Sequence, residues 1–143
     1  MDFLKELIQF LNKSTDESGV PIVPPEVSSE DNDREKSYLD SLPSEPNNVY
    51  VFKIYNTKVA SLVNKQAGVH YVQLIVRNES NKQAYQNIER VWKFLLNRPE
   101  FIEDINPNRW VIFDVRSGPI KIQTDEKGNH LWSLSFPVKT SLF

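Results

Sequence analysis

Near the start of the chain, apolar residues fall at Leu4, Leu7, Ile8 and Leu11, the i, i+3, i+4, i+7 stripe of one helical face, with Asp2 at the N-cap position. A helix of about ten residues is marginal alone in water, so this stripe predicts docking on the rest of the chain. The period then stops. STDESGVPIVPPEVSSEDNDREK has no sustained alternation, and Pro21, Pro24 and Pro25 forbid a continuous helix or a central strand, so 14–36 reads as an acidic loop or arm. SYLDSL (37–42) is expected to form one helical turn that Pro43 ends.

From residue 47 the pattern becomes dense. VYVFKIY (49–55) is apolar on both faces, as a strand covered on both sides would be. GVHYVQLIVR (68–77) alternates, with Val72, Leu74 and Val76 on one face and Tyr71, Gln73 and Ile75 on the other. Ala84, Ile88, Val91, Trp92, Leu95 and Leu96 then trace a helical face, with Ser80-x-x-Gln83 as a capping box and Pro99 beyond the end. After an irregular FIEDINPN, RWVIFDVRS (109–117) reads as a strand. GPIKIQ leads into the turn TDEKGN, and HLWSLSFPVKT (130–140) returns with Trp132, Leu134, Phe136 and Val138 inward. Pro137 cannot donate to a ladder and predicts an edge position or a bulge. The order favours a single α+β domain over 1–143, with an antiparallel sheet of four to five strands and two helices on one face.

Charge changes this picture more than composition does. The net charge of −2 over 143 residues averages two unlike parts, because residues 14–46 carry nine acids against Arg34 and Lys36 (−7), leaving +5 elsewhere. The absence of cysteine excludes disulfides, thiolate catalysis and Cys-based metal sites. His70 and His130 lack metal-ligand spacing, and four glycines build no phosphate-cradling motif, so neither catalysis, metal nor cofactor is expected. No apolar run approaches the roughly 18 residues of a membrane span, and Met1 leads into DFLKELIQFLNK without a signal-peptide pattern, so a soluble chain made in the cytoplasm is expected. Lys82, Arg90 and Lys93 make a basic helical face, with Arg98 and Arg109 nearby. The excess is too small for specific nucleic-acid recognition, and a solvated face is the simpler reading. Asp114 and Arg116 share a strand face, as a surface ion pair or a subunit contact.

The succession of segments resembles the phage minor capsid family now regarded as tail terminators of long-tailed phages. The resemblance rests on Leu42-Pro43 and Pro46-Asn47 leading into a strand, on Leu74 to Arg77 ending the next, on Ala84-Tyr85 in the following helix, and on an Asp125 to Gly128 turn into Ser133 to Ser135. The acidic arm and Asn56-Thr57, where a glycine is usual, depart from it. The resemblance implies a virion protein of the tail or neck, made in the host cytoplasm. It would form a ring, expected to be hexameric, that caps the head-proximal end of the tail tube, stops its polymerisation and joins neck or head-completion proteins, with DNA free to pass through.

On that reading the 56–68 loop (Val59, Leu62, Val63), the Asp114–Arg116 pair and the 118–129 hairpin (Lys121, Asp125, Lys127) are the expected subunit or tube contacts. Val59, Leu62 and Val63 equally suit covering the sheet. The alternatives are a neck connector and, in another class, a cytoplasmic adaptor binding a peptide on its sheet edge.

Overall fold

The computed structural model of the chain describes residues 3–24, 36–39, 42, 47–59, 66–97, 102–106 and 109–141. Along the chain lie α1 (Phe3–Lys13), β1 (Lys36–Leu39), β2 (Val49–Val59), β3 (Ala67–Asn78), α2 (Asn81–Leu96), β4 (Ile102–Asn106), β5 (Arg109–Phe113), β6 (Ile120–Ile122) and β7 (His130–Ser141). The strands form one sheet in the order β1-β2-β3-β7-β5-β4, with β6 also paired to β7. The fold is α+β, with both helices contributing to one core on one face of the sheet.

The expected antiparallel sheet of four to five strands is corrected to a mixed sheet of seven, in which only the β1–β2 pairing is parallel. Two of the extra strands are short and lie at the ends of the order. β1 falls where a helical turn was expected, and β4 lies within the stretch read as irregular. Runs of four or five residues are too short to display a period, and their state is set by the strand they pair with. The third extra strand arises because the run after Arg109 is broken into β5 and β6.

That break has a cause in the facing strand. Phe113 pairs with Val138 and Ile120 with Ser133, so seven steps along one chain face five along the other, and two residues are extra. The amide of Asp114 still donates to the carbonyl of Pro137 (3.2 Å). The N and C=O of a strand residue point to the same side, so the missing N–H of Pro137 faces the place where β5 leaves the ladder. Pro137 therefore sits in a central strand, and the bulge it demands is carried by its neighbour. The bulge presses on α2, where a Cβ on Gly118 would lie 3.2 Å from Trp92 Cζ2.

The inward positions alternate as expected. Phe52, Leu74 and Leu134 form one row across β2, β3 and β7, and Val72 and Phe136 lie in the next, each no more than 1% exposed. Val49 and Val51 are buried as well, so β2 is covered on both faces over its first half. Ala84, Ile88, Val91 and Leu95 of α2 close the core, while Trp92 and Leu96 are only partly buried at its rim. Ser80 caps α2, accepting from the Gln83 amide (3.2 Å), but the capping box is not reciprocal. The Ser80 amide donates to Asn78 Oδ1 (2.9 Å), and the Gln83 side chain donates to Asn87 Oδ1 (2.7 Å).

Helix α1 buries Phe3, Leu4, Leu7, Ile8 and Leu11. It touches β1 and β2 at one end of the strand order and β4 at the other, so the sheet curls around it. Phe10 joins it to α2 and the sheet, its ring 6.0 Å from that of Phe94 and 6.1 Å from that of Phe113.

The first third of the acidic stretch is anchored. Thr15 bridges Pro21, and the Asp16 carboxylate accepts from the amides of Ser18 and Val20, both at 2.9 Å. Ile22 donates to the Ser14 carbonyl (2.9 Å), and the side chains of Ile22 and Val23 are fully buried in the core. Residues 25–35 lie outside the described residues.

Candidate functional site

The end of the sheet where β2 runs towards β3 is exposed. All five residues from Tyr55 to Val59 are exposed. Ile54 pairs with Val72 but Asn56 with Tyr71, so Tyr55 is the extra residue of a bulge. A bulge reverses the alternation beyond it. Thr57 consequently turns to the helix side, where its hydroxyl lies 2.8 Å from His70 Nδ1, and the His70 ring packs 4.6 Å from Phe3. Lys58 turns to the opposite, helix-free side, where its ammonium lies 5.4 Å from the Tyr71 ring centre. Tyr55 packs on the same ring at 6.0 Å. Val59, the last residue of β2, is 49% exposed. Leu62 and Val63 lie outside the described residues.

The bulge after β5 holds the second group. Arg116 grips Asp114 through two bonds, Nε to Oδ1 at 3.0 Å and Nη2 to Oδ2 at 3.1 Å. The hydrogen bonding from Arg116 lowers the Asp114 carboxyl below its ordinary range against the opposing effect of burial, with the charges of Arg116 and Lys139 adding to it. Asp114 pairs with Pro137 on the same side as Lys139, so this cluster belongs to the helix-free face.

The third group lies at the other end of the sheet. Asp125 accepts from the amides of Lys127 (3.0 Å) and Asn129 (2.8 Å) and from Asn129 Nδ2 (3.2 Å), while Gly128 takes φ +81. Asp125 is thus the staple of its own turn rather than a group held out to a partner. Lys121 Nζ lies 3.3 Å from His130 Nδ1, and next to it Ile120 is 68% exposed.

The structure thus unites Asp114 and Arg116 and adds Lys139. It separates Val59, opposite Gly68, from Lys121, whose partner Trp132 faces Val76, by eight rungs of β3, or about 26 Å, with Asp125 and Lys127 in the turn beyond. Sequence reasoning missed Tyr55, Lys58, Tyr71 and Ile120. The available signal was the loss of apolar character after Ile54, which marks where β2 outruns the core.

A cleft of about 950 Å³ opens between residues 15–22 and α2. Four of the charges that line it are paired, Arg90 Nε with Asp16 at 3.3 Å and Lys93 with Glu89 at 3.1 Å, and Glu17 lines it as well. These pairs absorb most of the basic face expected on α2. No helix among the described residues is long and apolar enough to cross a membrane. The described site is built from projecting strand ends and surface ion pairs, which is how a protein that works by contact is arranged.

The comparison with known families agrees with that class. The family model described as bacteriophage tail terminator protein matches residues 10–141, nearly the whole chain. The chain belongs to the bacteriophage tail terminator family, whose members are structural proteins of the phage tail and meet tail and head components. No curated protein matches it.

Proposed function

We propose that the protein assembles with copies of itself into a ring on the head-proximal end of the tail tube, ends tube polymerisation there, and offers the joining surface to neck or head-completion proteins. The whole chain acts as one domain, and assembly takes place in the host cytoplasm. Family membership supports this reading. The observation that carries it is the placement of exposed apolar groups, each with a lysine beside it, at opposite ends of one sheet. Tyr55, Lys58 and Val59 stand at one end; Ile120 and Lys121 stand at the other. A ring requires heterologous contacts, in which two different surfaces of one subunit are complementary. Val59, with Leu62 and Val63 following it, serves the subunit or tube contact on this reading. Asp114 and Arg116 mark the face between the two ends, and Lys121 and Lys127 flank the turn that Asp125 holds in shape.

The test is to add the purified protein to polymerising tail-tube subunits and to examine both by sedimentation and negative-stain microscopy. Rings with a central hole, seated on one end of tubes that stop growing, are the expected result. Rings that form but leave tube growth unaffected would assign the protein to the neck instead. A strict monomer at high concentration that caps no tube would refute the ring reading and favour the adaptor.

A further inference from the structure

The helix-free face of the sheet carries more cations than carboxylates, its described carboxylate being Asp114, which Arg116 already grips through two bonds. On β2, β3 and β7 its outward positions include Lys53, Lys58 and Lys139 and not one carboxylate. Lys58 and Lys139 are exposed and Lys53 is half-buried, and among the described residues none of the three is in a salt bridge. The bulge at Tyr55 puts Lys58 here, since unbroken alternation from Lys53 would place Thr57 outward instead. Lys58 and Lys139 both align with Val69, one on each side of it, about 10 Å apart across the strands.

The matching anion is in the same chain. Residues 25–35 contain Glu26, Glu30, Asp31, Asp33 and Glu35 against the single Arg34, a net of −4. The two ends of this segment meet at the β1 edge, because Ser37 Oγ donates to the Pro24 carbonyl at 2.6 Å. Eleven residues that leave and return at one point reach at most about 19 Å. Ser37 pairs with Tyr50, seven rungs along β2 from Lys58 once the bulge is discounted, which is about 23 Å. Lys139 lies two further strands across the sheet. Lys53, three rungs from Tyr50, is within reach of its own subunit's segment, but only a fully stretched segment would bring its carboxylates to Lys58 and Lys139 there, whereas a neighbouring copy faces no such limit.

We infer that the acidic segment 25–35 of one subunit docks on the Lys53–Lys58–Lys139 face of the next. The contact rests on the ring reading and supplies the two unlike, complementary surfaces that such a ring needs. An acidic segment of one copy meets a sheet face on another, joined by charge pairs that salt screens.

The test uses two full-length variants. One is Glu30→Lys/Asp31→Lys/Asp33→Lys, with a basic segment and a basic face; the other is Lys58→Glu/Lys139→Glu, with an acidic segment and an acidic face. Each alone is expected to lose the assembled species in sedimentation, with the interface weakened about tenfold or more. An equimolar mixture is expected to restore rings, since each variant then meets its opposite charge. Wild-type rings should weaken as salt rises to about 0.5 M. Rescue by mixing also shows that both variants are folded, and a melting temperature is measured for each.

Either variant assembling alone as well as the wild type would overturn this contact and leave the ring reading intact. So would a mixture of folded variants that fails to assemble. Unchanged assembly of Lys58→Glu/Lys139→Glu, coupled with lost retention of duplex DNA, would overturn it in favour of a phosphate-binding face. A wild type that stays monomeric at every salt concentration and on tubes removes the ring reading itself, and this contact with it.

Discussion

Shortening Ile22 to alanine tests whether the start of the acidic stretch is structural. Ile22 is fully buried in the core cluster, six residues from Asp16, in a stretch whose composition suggests a solvated loop. The substitution removes three carbons, worth about 2.4 kcal/mol at about 0.8 per buried methylene. A sealed cavity would add a further term and bring the cost towards about 5 kcal/mol. Here the side chain lines the open cleft of about 950 Å³ shared with Phe94, so the void can collapse or fill with water. The expected loss is therefore near the low end, about 2.5–3 kcal/mol. With a urea m-value of about 1.5–2 kcal/mol/M, the midpoint should fall by roughly 1.5 M at unchanged slope. Val20→Ala is the control: that side chain is 41% exposed two residues earlier, and its loss should stay within about 0.5 kcal/mol. An Ile22→Ala midpoint indistinguishable from that of Val20→Ala would refute the docking of residues 14–24.

Three further outcomes follow from single contacts. Gly118→Val should drive Trp92 outward, costing about 1–3 kcal/mol as overpacking and shifting tryptophan fluorescence, since its Cβ would stand 3.2 Å from the indole. Ser80→Ala should cost about 1 kcal/mol in thermal unfolding through the lost bond to the Gln83 amide. Asp125→Ala should cost about 1–2 kcal/mol near neutrality by removing an acceptor from two backbone amides. Burial raises the Asp125 carboxyl, but the hydrogen bonds from Asn129 and Lys127 and the charge of Arg77 outweigh it, so its pKa lies below the usual value. Its contribution is then complete above the unfolded carboxyl pKa of about 3.9 and is lost as pH falls through the folded value. The gap between wild type and Asp125→Ala should close below about pH 4, and a gap that persists unchanged at pH 2 would contradict the assignment.

What was legible depended on whether the deciding partner was local. The stripe of α1 and the alternation of Val72, Leu74 and Val76 each fix a buried face from residues three, four or two apart, and the structure buries each of those faces. Ser80 and the Asp125–Gly128 turn were legible because caps and turns act within four residues. β1 and β4 were not, because a four- or five-residue strand exists only by pairing, and Lys36–Leu39 gains its state from Val49–Phe52. Trp92 was placed in the helical stripe, yet it is only partly buried and its Nε1 has no hydrogen-bond partner among the described residues. Its neighbour Gly118 is 26 residues away, beyond any helical period.

The two bulges show how a site arises from residues that break the pattern. Pro137 withholds a donor from the strand beside it, so β5 leaves the ladder and carries Asp114 and Arg116 on the departing segment. Tyr55 inserts one residue into β2, so Lys58 changes face and joins Lys53 while Thr57 turns back to His70. Neither side chain position follows from an amphipathic count, because each depends on a register set by the opposite strand. Removing the extra residue relaxes the bulge without changing a face: deletion of Tyr55 should leave Asn56, Thr57 and Lys58 opposite Tyr71, His70 and Val69, so that only the Tyr55 ring is lost from the helix-free side. Such a variant would keep the core rows of Phe52, Leu74 and Leu134, which lie before the bulge, and so would fold while presenting the same lysines without the Tyr55 ring. A deletion variant that melts like the wild type but no longer assembles would localise the contact to Tyr55 itself, rather than to the lysines beside it.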